Sequence, residues 1–506
     1  MERLARFVSH RIVVGLRRTG RILLGAEDRT TDRAAAAAAI ASGVLLPVLF
    51  LKGGATLHSI LLAYALFAVG VLAMLAWNVV GRSSPQTRAT QTRLLPILFL
   101  ALTIRLIAAQ LPGHDFDLPI NKGWTQSAAQ LGLARSYGEQ VGGNVLPNYP
   151  PFILILYWLA GSLYQFAISP PFDPLLPDFD VVVRFPAIAA DLAACVIVAV
   201  VARKAGVRER WPWVAMAYAL HPAAVFDTAV WGQTDSVYAL WMLLALAALS
   251  LGHWRAVGAW TACALLTKPQ AAAMFPVLLM VLVRNLPRSA AFFSGAILAA
   301  IAILAPFLAG GALDAVLAVY QRTVGGYYNG VSIGAHNFWA IFHRTARLSD
   351  DELALNLISF RNAGLLLLTV ATLLILWRLR TSLLFPRTQR QRLLGVLLAG
   401  ALTTSAMFIF ATEMHERYQF AYVLLALPVA AVSRVGAFLY AATSCLIFLN
   451  LLGSLAFGPV PAALFPKIVG VLQIVLFLLT VGMAPKLVED LHEKNERPPL
   501  KAPPKV

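Results

Sequence analysis

The stretch RSAAFFSGAILAAIAILAPFLA, residues 288–309, contains a single charged residue, Arg288, at its start. A run of this length can cross about 30 Å of hydrocarbon as an α-helix. Comparable runs recur from Ala36 to Met483. Because 59% of the 506 residues are hydrophobic and only 13% are charged, the chain has more apolar surface than a soluble core of this length buries. The sequence therefore predicts an all-α polytopic membrane protein.

The apolar runs predict about 14 transmembrane helices. These are placed at residues 36–53, 57–80, 93–112, 183–203, 211–230, 236–252, 256–267, 271–284, 288–309, 362–379, 393–411, 417–433, 436–456 and 467–484. A further apolar stretch, 152–167, is left out of this set. It follows the motif YPP (149–151), which can start a helix, and it contains Ser162 and Gln165. We therefore expect a helix that lies at the outer membrane interface.

The chain has a net charge of +17, and its basic residues cluster in short loops and at the termini. This is the positive-inside pattern, which explains the charge without nucleic acid and places both termini in the cytoplasm. Counting 152–167 as a span would move the basic loop 203–210 to the outer side. We expect cytoplasmic tails at 1–34 and 485–506. The three cysteines lie in apolar runs and indicate neither disulfides nor a metal site.

Two long loops, 113–182 and 310–361, fall on the outer side under this topology, together with the short turns 231–235, 268–270 and 412–417. Loops of this length are usually functional or disordered. Both are too rich in aromatic and apolar residues for disorder. We expect them to fold over a site on the non-cytoplasmic face.

The motif GHDFD (113–117) stands where a predicted span leaves the membrane. A carboxylate there, held by the rigid end of a helix and partly shielded from water, suits a general base. The alternative is an acidic residue that is simply solvated at the interface. Asp117 and Asp115 are both candidates.

The motif WGQTDS (231–236) combines an aromatic ring with forked polar groups. Sugar pockets use such a combination, with a ring face against the pyranose and polar groups on its hydroxyls. The alternatives are a tryptophan of the interfacial belt and a helix N-cap provided by Asp235 or Ser236.

Cationic side chains are predicted on the same face. Lys268 lies between two short apolar runs, where a lysine without a partner is costly, so a lipid-borne phosphate or a structural carboxylate is expected beside it. In the motif MHERY (414–418), Arg417 offers a fork to phosphate oxygens and His415 offers a switchable proton donor, although snorkelling at a helix start is the alternative. The motif HNFW (336–339) is a candidate lid or interfacial segment.

A base, cationic groups and an aromatic polar pocket together favour transfer of a group from a lipid phosphate to a hydroxyl acceptor. The sequence contains no P-loop and no Rossmann turn, which argues against a soluble nucleotide donor.

These motifs resemble those of polyprenyl-phosphate-sugar-dependent glycosyltransferases of the GT-C superfamily, and most nearly the Gpi18-like mannosyltransferases and the Alg6/Alg8-type glucosyltransferases. The resemblance extends from about Arg93 to the mid-400s. It rests on motifs in the family's order: Asp117 with Trp124, Asn148-Tyr149-Pro150-Pro151, residues 184–191, WGQTDS, Lys268-Pro269-Gln270, Asn337-Phe338-Trp339 and MHERY.

The resemblance implies a GT-C fold with interfacial helices in the first long outer loop. It divides the chain into a seven-helix module at 93–309, a long outer loop at 310–361 and C-terminal spans at 362–484. Two additional spans at 35–92 precede the module and have no role assigned by the family. Leaving out 152–167 gives the family's seven spans before the loop at 310.

The resemblance also implies site roles. Asp117 is the expected base, with Asp115 as its rival, and transfer inverts the anomeric configuration. Donor phosphate is expected on Lys268, His415 and Arg417. Sugar or acceptor contacts are expected from Trp124, Tyr149, Trp231, Gln233, Asp235, Gln270, Asn337 and Trp339. Asn121 and Asn148 depart from the family's usual residues, which bears on acceptor contacts. No cofactor and no metal are expected to be required.

The expected function is transfer of a hexose, mannose or glucose, from a polyprenyl-phosphate-linked donor to a glycan or glycolipid hydroxyl. The expected location is the plasma or inner membrane, with the site on the non-cytoplasmic face. Two alternatives stay open. A flippase or transporter of lipid-linked sugars would use similar cations, although midplane charges and internal repeats are not seen. A non-catalytic scaffold of cell-envelope assembly is the third.

Overall fold

The computed structural model describes residues 29–80, 85–207, 209–325, 328–342, 348–354, 356–454 and 464–489. Most of the predicted tails, 1–34 and 485–506, therefore lie outside the described residues. The α-helices are α1 (Arg29–Lys52), α2 (Leu57–Val80), α3 (Pro85–Ala108), α4 (Asp117–Leu131), α5 (Pro151–Ala167), α6 (Pro177–Val183), α7 (Phe185–Lys204), α8 (Trp211–Ala219), α9 (Pro222–Val225), α10 (Asp235–Leu251), α11 (Trp254–Leu265), α12 (Phe275–Arg284), α13 (Ser289–Ala309), α14 (Leu313–Gly325), α15 (Phe338–Phe342), α16 (Phe360–Leu384), α17 (Gln389–Phe410), α18 (Ala421–Ala430), α19 (Arg434–Ser454) and α20 (Phe465–Val488).

Shorter elements join these helices. Single 3-10 turns lie at Gly54–Thr56, Arg135–Tyr137, Val141–Gly143, Pro269–Met274 and Leu286–Arg288, and a π-helical turn lies at Phe226–Trp231. Two strands, β1 (Leu353–Ala354) and β2 (Ile358–Ser359), form an antiparallel hairpin in which Leu353 faces Ser359.

Nine of the described helices are long and apolar enough to cross a membrane: α1, α2, α3, α7, α13, α16, α17, α19 and α20. Each coincides with a predicted span, so the protein is a multi-pass helical membrane protein. The other five predicted spans fall on shorter helices, among them α10, α11, α12 and α18. The total of about 14 therefore stays a prediction. The stretch 152–167 forms the 17-residue helix α5, and its interfacial position also stays a prediction.

The predicted span 211–230 is not one continuous helix. Helix α8 ends at Ala219, α9 begins at Pro222, and the π-helical turn follows at once. Proline lacks the N–H that would continue the hydrogen-bond ladder, so the helix breaks there. Broken helices at membrane depth are tolerated where they line a protein interior or a cavity.

The loop 113–182, predicted to lie on the outer side, contains two packed helices, α4 and α5. They approach closely at Gly161, where an added Cβ would lie 2.6 Å from the backbone oxygen of Thr125 and 2.9 Å from the Cβ of Ala129. Only glycine permits this contact. Since Asp117 is the first residue of α4, the contact helps to set where that carboxylate lies.

A buried polar network ties the spans together. Arg105 donates from Nε to Oδ2 of Asp191 at 2.7 Å, and neither side chain is exposed. The hydroxyls of Tyr218 and Thr228 also donate to Asp191, at 2.7 and 2.8 Å. In the low-dielectric interior, a charge pair is retained only with such additional hydrogen bonds. The network joins α3, α7, α8 and the π-helical turn.

Candidate functional site

Asp117 lies in a hydrogen-bonded pocket made by the WGQTDS motif. Its Oδ2 accepts hydrogen bonds from Nε1 of Trp231 at 2.7 Å and from Nε2 of Gln233 at 2.8 Å. The indole of Trp231 also stacks on His114, with ring centroids 4.5 Å apart. The structure thus joins the predicted base to the predicted sugar motif. Asp115 is exposed and takes no part in these contacts.

The backbone at Gly232 aims both donors at one carboxylate. Gly232 has a φ of +87°, the left-handed region that favours glycine. Its carbonyl accepts a hydrogen bond from Nδ2 of Asn121 at 3.1 Å. An added Cβ would meet Leu118 at 3.2 Å. Asn121, which departs from the family pattern, therefore braces the turn against α4.

Arg184 holds the two segments that carry this pocket. Its buried guanidinium donates to the carbonyls of Ala109, at the end of α3, and of Val230, next to Trp231, both at 3.0 Å. Sequence reasoning quoted 184–191 as a motif but gave Arg184 no role. A lone arginine at the start of an apolar span was the signal available, because such a residue is rare without a function.

Lys268 is paired as well as buried. Its Nζ lies 3.0 Å from Oδ2 of Asp235 and donates to Oε1 of Gln233 at 3.3 Å. The ammonium also lies 4.9 Å from the centre of the Tyr149 ring, and the Tyr149 hydroxyl donates to Oε1 of Gln233 at 2.9 Å. Gln233 is therefore a bridge, with its amide nitrogen on Asp117 and its amide oxygen accepting from Lys268 and Tyr149.

Arg417 completes the pocket from the far part of the chain. Its Nη1 lies 3.6 Å from Oδ2 of Asp117, and its Nε lies 3.9 Å from Oδ2 of Asp235. It also forms an ion pair with Glu416. Asp117, Lys268 and Arg417 therefore lie in one polar cluster, although the chain separates them widely. Glu416 was part of the quoted motif MHERY, but its pairing was not foreseen.

Burial and neighbouring charges determine the protonation states of Asp117, Glu416 and His415. Burial opposes ionisation of Asp117, but the charge of Arg417 and the hydrogen bond from Trp231 lower its pKa below the ordinary value. Burial likewise opposes ionisation of Glu416, and Arg417 nevertheless holds its pKa at about 2. Burial lowers the pKa of His415. Both carboxylates are therefore ionised at neutral pH, while the imidazole is neutral.

A cavity of about 270 Å³ opens beside this network. Four of its lining residues are cations: Lys268, Arg322, Arg361 and Arg417. Among the described residues that line it, Glu413 is the single carboxylate. We call it the cationic cavity. Three of these cations have carboxylate partners that do not line the cavity, so its surface is mainly cationic and fits an anionic ligand group.

Tyr149 and Gln270 also line the cationic cavity, as does Asn148. The side-chain oxygen of Gln270 is buried and has no partner within the described part of the chain. An orphaned buried acceptor next to an open cavity suits a ligand hydroxyl or amide.

Arg361, at the start of α16, was not singled out from the sequence. It donates to both carboxylate oxygens of Asp350, at 2.9 and 3.0 Å, and Asp350 also accepts from Thr412 at 2.8 Å. This bidentate pair orients the guanidinium at the cavity wall. No sequence pattern shows which carboxylate Arg361 contacts, so this pair was found only from the fold.

Six of the predicted contact residues do not line the cationic cavity. Trp231, Gln233 and Asp235 belong to the network around Asp117 and Lys268, and the other three are Trp124, Asn337 and Trp339. Trp124 donates from Nε1 to the carbonyl of Val145 at 2.7 Å, and its ring packs against Tyr149 at 5.2 Å. Asn337 donates to the carbonyl of Phe408 at 3.0 Å, and Trp339 donates from Nε1 to the carbonyl of Phe410 at 2.9 Å. The bonds from Asn337 and Trp339 fasten the 336–339 segment to the end of α17.

His415 also lies beside the cavity and does not line it. Its ring meets that of Tyr328 edge-on, with centroids 4.7 Å apart. The backbone next to it is held by a hydrogen bond from the N–H of Ile333 to the carbonyl of Met414 at 3.0 Å. Through this contact the loop 310–361 reaches the MHERY motif.

These features define the protein's class. The sequence model described as glycosyltransferase family 87 matches residues 148–412, just over half of the chain. The match covers Tyr149, the WGQTDS motif and Lys268, and it ends just before MHERY. The protein is a membrane glycosyltransferase. It belongs to glycosyltransferase family 87.

Other similarities are distant. The chain is similar to an archaeal oligosaccharyltransferase, AglB from Archaeoglobus fulgidus, whose structure was solved in complex with an inhibitory peptide and a dolichol-phosphate. The identity is 12% and the TM-score is 0.38, with 78% of this chain and 55% of that chain covered. This chain thus spans about half the length of that protein. No curated protein matches the sequence.

Proposed function

We propose that the protein transfers a hexose from a polyprenyl-phosphate-linked donor to a hydroxyl of a glycan or lipid-linked acceptor on the non-cytoplasmic face. The observation that carries this proposal is the position of Arg417, which lines the cationic cavity and lies 3.6 Å from Asp117. A phosphate-binding group and a base are therefore adjacent. Mannose or glucose is proposed on the narrower resemblance to the Gpi18-like and Alg6/Alg8-type enzymes.

The cationic cavity is the proposed seat of the donor phosphate. Charge develops on this leaving group in the transition state, and fixed cations stabilise it most there. Lys268 and Arg417 lie at the inner wall, and Arg322 and Arg361 supply further positive charge. His415 is neutral at neutral pH, so it supports Glu416 and Arg417 rather than adding charge.

Asp117 is the proposed base. The acceptor oxygen attacks the anomeric carbon, the bond from that carbon to the phosphate oxygen breaks, and its electron pair leaves with the phosphate. The hydroxyl proton passes to Asp117. Its Oδ2 already accepts two hydrogen bonds, whereas Oδ1 has no hydrogen-bond partner in the described part of the chain, so Oδ1 is the oxygen that takes the proton. Attack opposite the leaving group inverts the configuration.

Arg417 links the binding of the donor phosphate to the basicity of Asp117. In the free enzyme its charge lowers the pKa of Asp117, which makes the carboxylate a weak base. A donor phosphate would compete for the same guanidinium and neutralise part of its charge. The pKa of Asp117 would then rise when the donor is bound, and the carboxylate would become a better proton acceptor at that point.

Sugar and acceptor contacts are assigned by position. Tyr149 and Gln270 line the cavity, and the free oxygen of Gln270 is the proposed acceptor for a sugar hydroxyl. Trp231, Gln233 and Asp235 position the base and Lys268. Trp124, Asn337 and Trp339 support the walls from behind. The reaction is proposed to require neither metal nor cofactor.

The test is transfer by purified, reconstituted protein supplied with synthetic polyprenyl-phosphate mannose or glucose and a membrane glycolipid extract. We expect Asp117→Asn to lower the transfer rate by about 10²–10⁴-fold, the usual contribution of a general base. Asp115→Asn is the matched control and should transfer at a rate close to wild type. Transfer at the normal rate by Asp117→Asn would reject the base assignment. Product stereochemistry tests inversion.

A further inference from the structure

A second cavity, of about 280 Å³, lies away from the cationic cavity. Three arginines line it, Arg284, Arg288 and Arg392, together with the amide of Asn285. No carboxylate is among its described lining residues, and none of the three arginines forms an ion pair with the described part of the chain. Three converging cations without a protein counter-charge fit an anionic group. We call it the arginine cavity.

One helical segment connects the two cavities. The 3-10 turn Pro269–Met274 begins next to Lys268, and α12 continues from it to Arg284. Six residues at about 2.0 Å and ten at about 1.5 Å give roughly 27 Å. That length is close to the roughly 30 Å of a bilayer's hydrocarbon core. The arginine cavity is therefore about one hydrocarbon thickness from Lys268 along this segment, and the charge pattern predicts that it faces the cytoplasm.

The walls of the arginine cavity are partly apolar. Leu249, Leu383 and Leu384 line it beside the arginines, and Trp254 stands among them. A soluble phosphate needs only the cations. A phospholipid needs both surfaces, since its headgroup is anionic and its acyl chains are apolar, and tryptophan favours this interfacial level.

We propose that the arginine cavity binds an anionic phospholipid of the cytoplasmic leaflet. The arginines contact the headgroup phosphate, and the leucines contact the start of an acyl chain. The cavity joins the ends of α10, α11, α12, α16 and α17 and the 3-10 turn Leu286–Arg288. At their other ends, α10 carries Asp235 and α16 carries Arg361. A lipid bound here would hold together the helices that position the outer site.

The test is thermal unfolding of the purified full-length protein in neutral detergent, with phosphatidylglycerol or phosphatidylcholine added. We expect phosphatidylglycerol to raise Tm by several degrees and phosphatidylcholine to raise it little. In the double variant R288Q/R392Q most of this shift should be lost. Arg434→Gln, an exposed arginine that does not line the cavity, should keep it. An equal shift in R288Q/R392Q and wild type would overturn the proposal.

Two further measurements complete the test. Inorganic phosphate at millimolar concentration should raise Tm little. An equal shift by phosphate would overturn the lipid assignment in favour of a free anion. Native mass spectrometry of the single variant Arg288→Gln covers the case in which the double variant does not fold. We expect fewer retained phosphatidylglycerol molecules than in wild type, and unchanged retention would count against the cavity.

Discussion

Nη1 of Arg417 lies 3.6 Å from Oδ2 of Asp117, although the two residues lie far apart in the chain. Each lowers the cost of burying the other's charge. The guanidinium also faces a cavity with three other cations. An anion that binds in the cavity therefore contacts Arg417, which is already paired with Asp117. Its binding changes the electrostatic environment of the Asp117 carboxylate.

The hydrogen bond from the Trp231 indole to Asp117 should affect the pH dependence of transfer. The pKa of Asp117 is lowered, so the ionised base persists well into acid, and activity should fall only as pH drops through that low value. Trp231→Phe removes one hydrogen bond to the carboxylate, worth about 1.5–3 kcal/mol for a charged group. The pH at which kcat/KM falls on the acid side of its profile, the acid limb, should therefore rise by about 1–2 units.

Trp124→Phe is the matched control for this measurement. It removes an indole N–H that donates to the carbonyl of Val145 instead of to Asp117. Its acid limb should stay at the wild-type position. An unchanged limb in Trp231→Phe would show that this hydrogen bond does not set the basicity.

Lys268 should have both a structural and a functional role. Lys268→Met leaves the fully buried Asp235 without its closest cation, and breaking such a pair costs about 3–5 kcal/mol. A second change, Asp235→Asn, removes the stranded charge. The double variant should regain most of the lost thermal stability while its donor KM stays raised. Recovery of both stability and KM would mean that Lys268 serves the fold alone.

Arg322 should affect donor binding without affecting the fold. It is exposed, lines the cationic cavity and forms no ion pair within the described residues. Arg322→Gln should raise the donor KM by about threefold to tenfold, or about 1 kcal/mol, with unchanged Tm. Arg135→Gln, an exposed arginine of the first outer loop, is the control. Equal KM values for the two variants would exclude Arg322 from the donor site.

Gly161 should be intolerant of a methyl group. Gly161→Ala places Cβ against the backbone of α4, which must shift to make room, at about 1–3 kcal/mol. Because α4 begins with Asp117, transfer should fall along with Tm. Ser162→Ala, on the same helix, should leave both nearly unchanged. Wild-type stability and transfer in Gly161→Ala would show that the helices can separate there.

Much of the architecture is predictable from local patterns. Each membrane-spanning helix satisfies its own backbone hydrogen bonds and needs only a long apolar run, so nine predicted spans coincide with nine long helices. The breaks were harder to predict. Residues 211–230 are continuous in hydropathy, but Pro222 and the π-helical turn divide them, because what permits a break is the surrounding protein rather than the run itself.

The sequence by itself determined a multi-pass membrane protein, the residue types of a glycosyltransferase site and the motifs that contain them. Only the tertiary structure decided which side chains meet: Gln233 bridging Asp117 and Lys268, Glu416 pairing with Arg417, and Arg184 holding two backbones together. The physical reason is the sequence distance over which each kind of interaction acts. Hydropathy and charge bias act within one segment, whereas a buried polar side chain finds its partner through packing between segments distant in the chain.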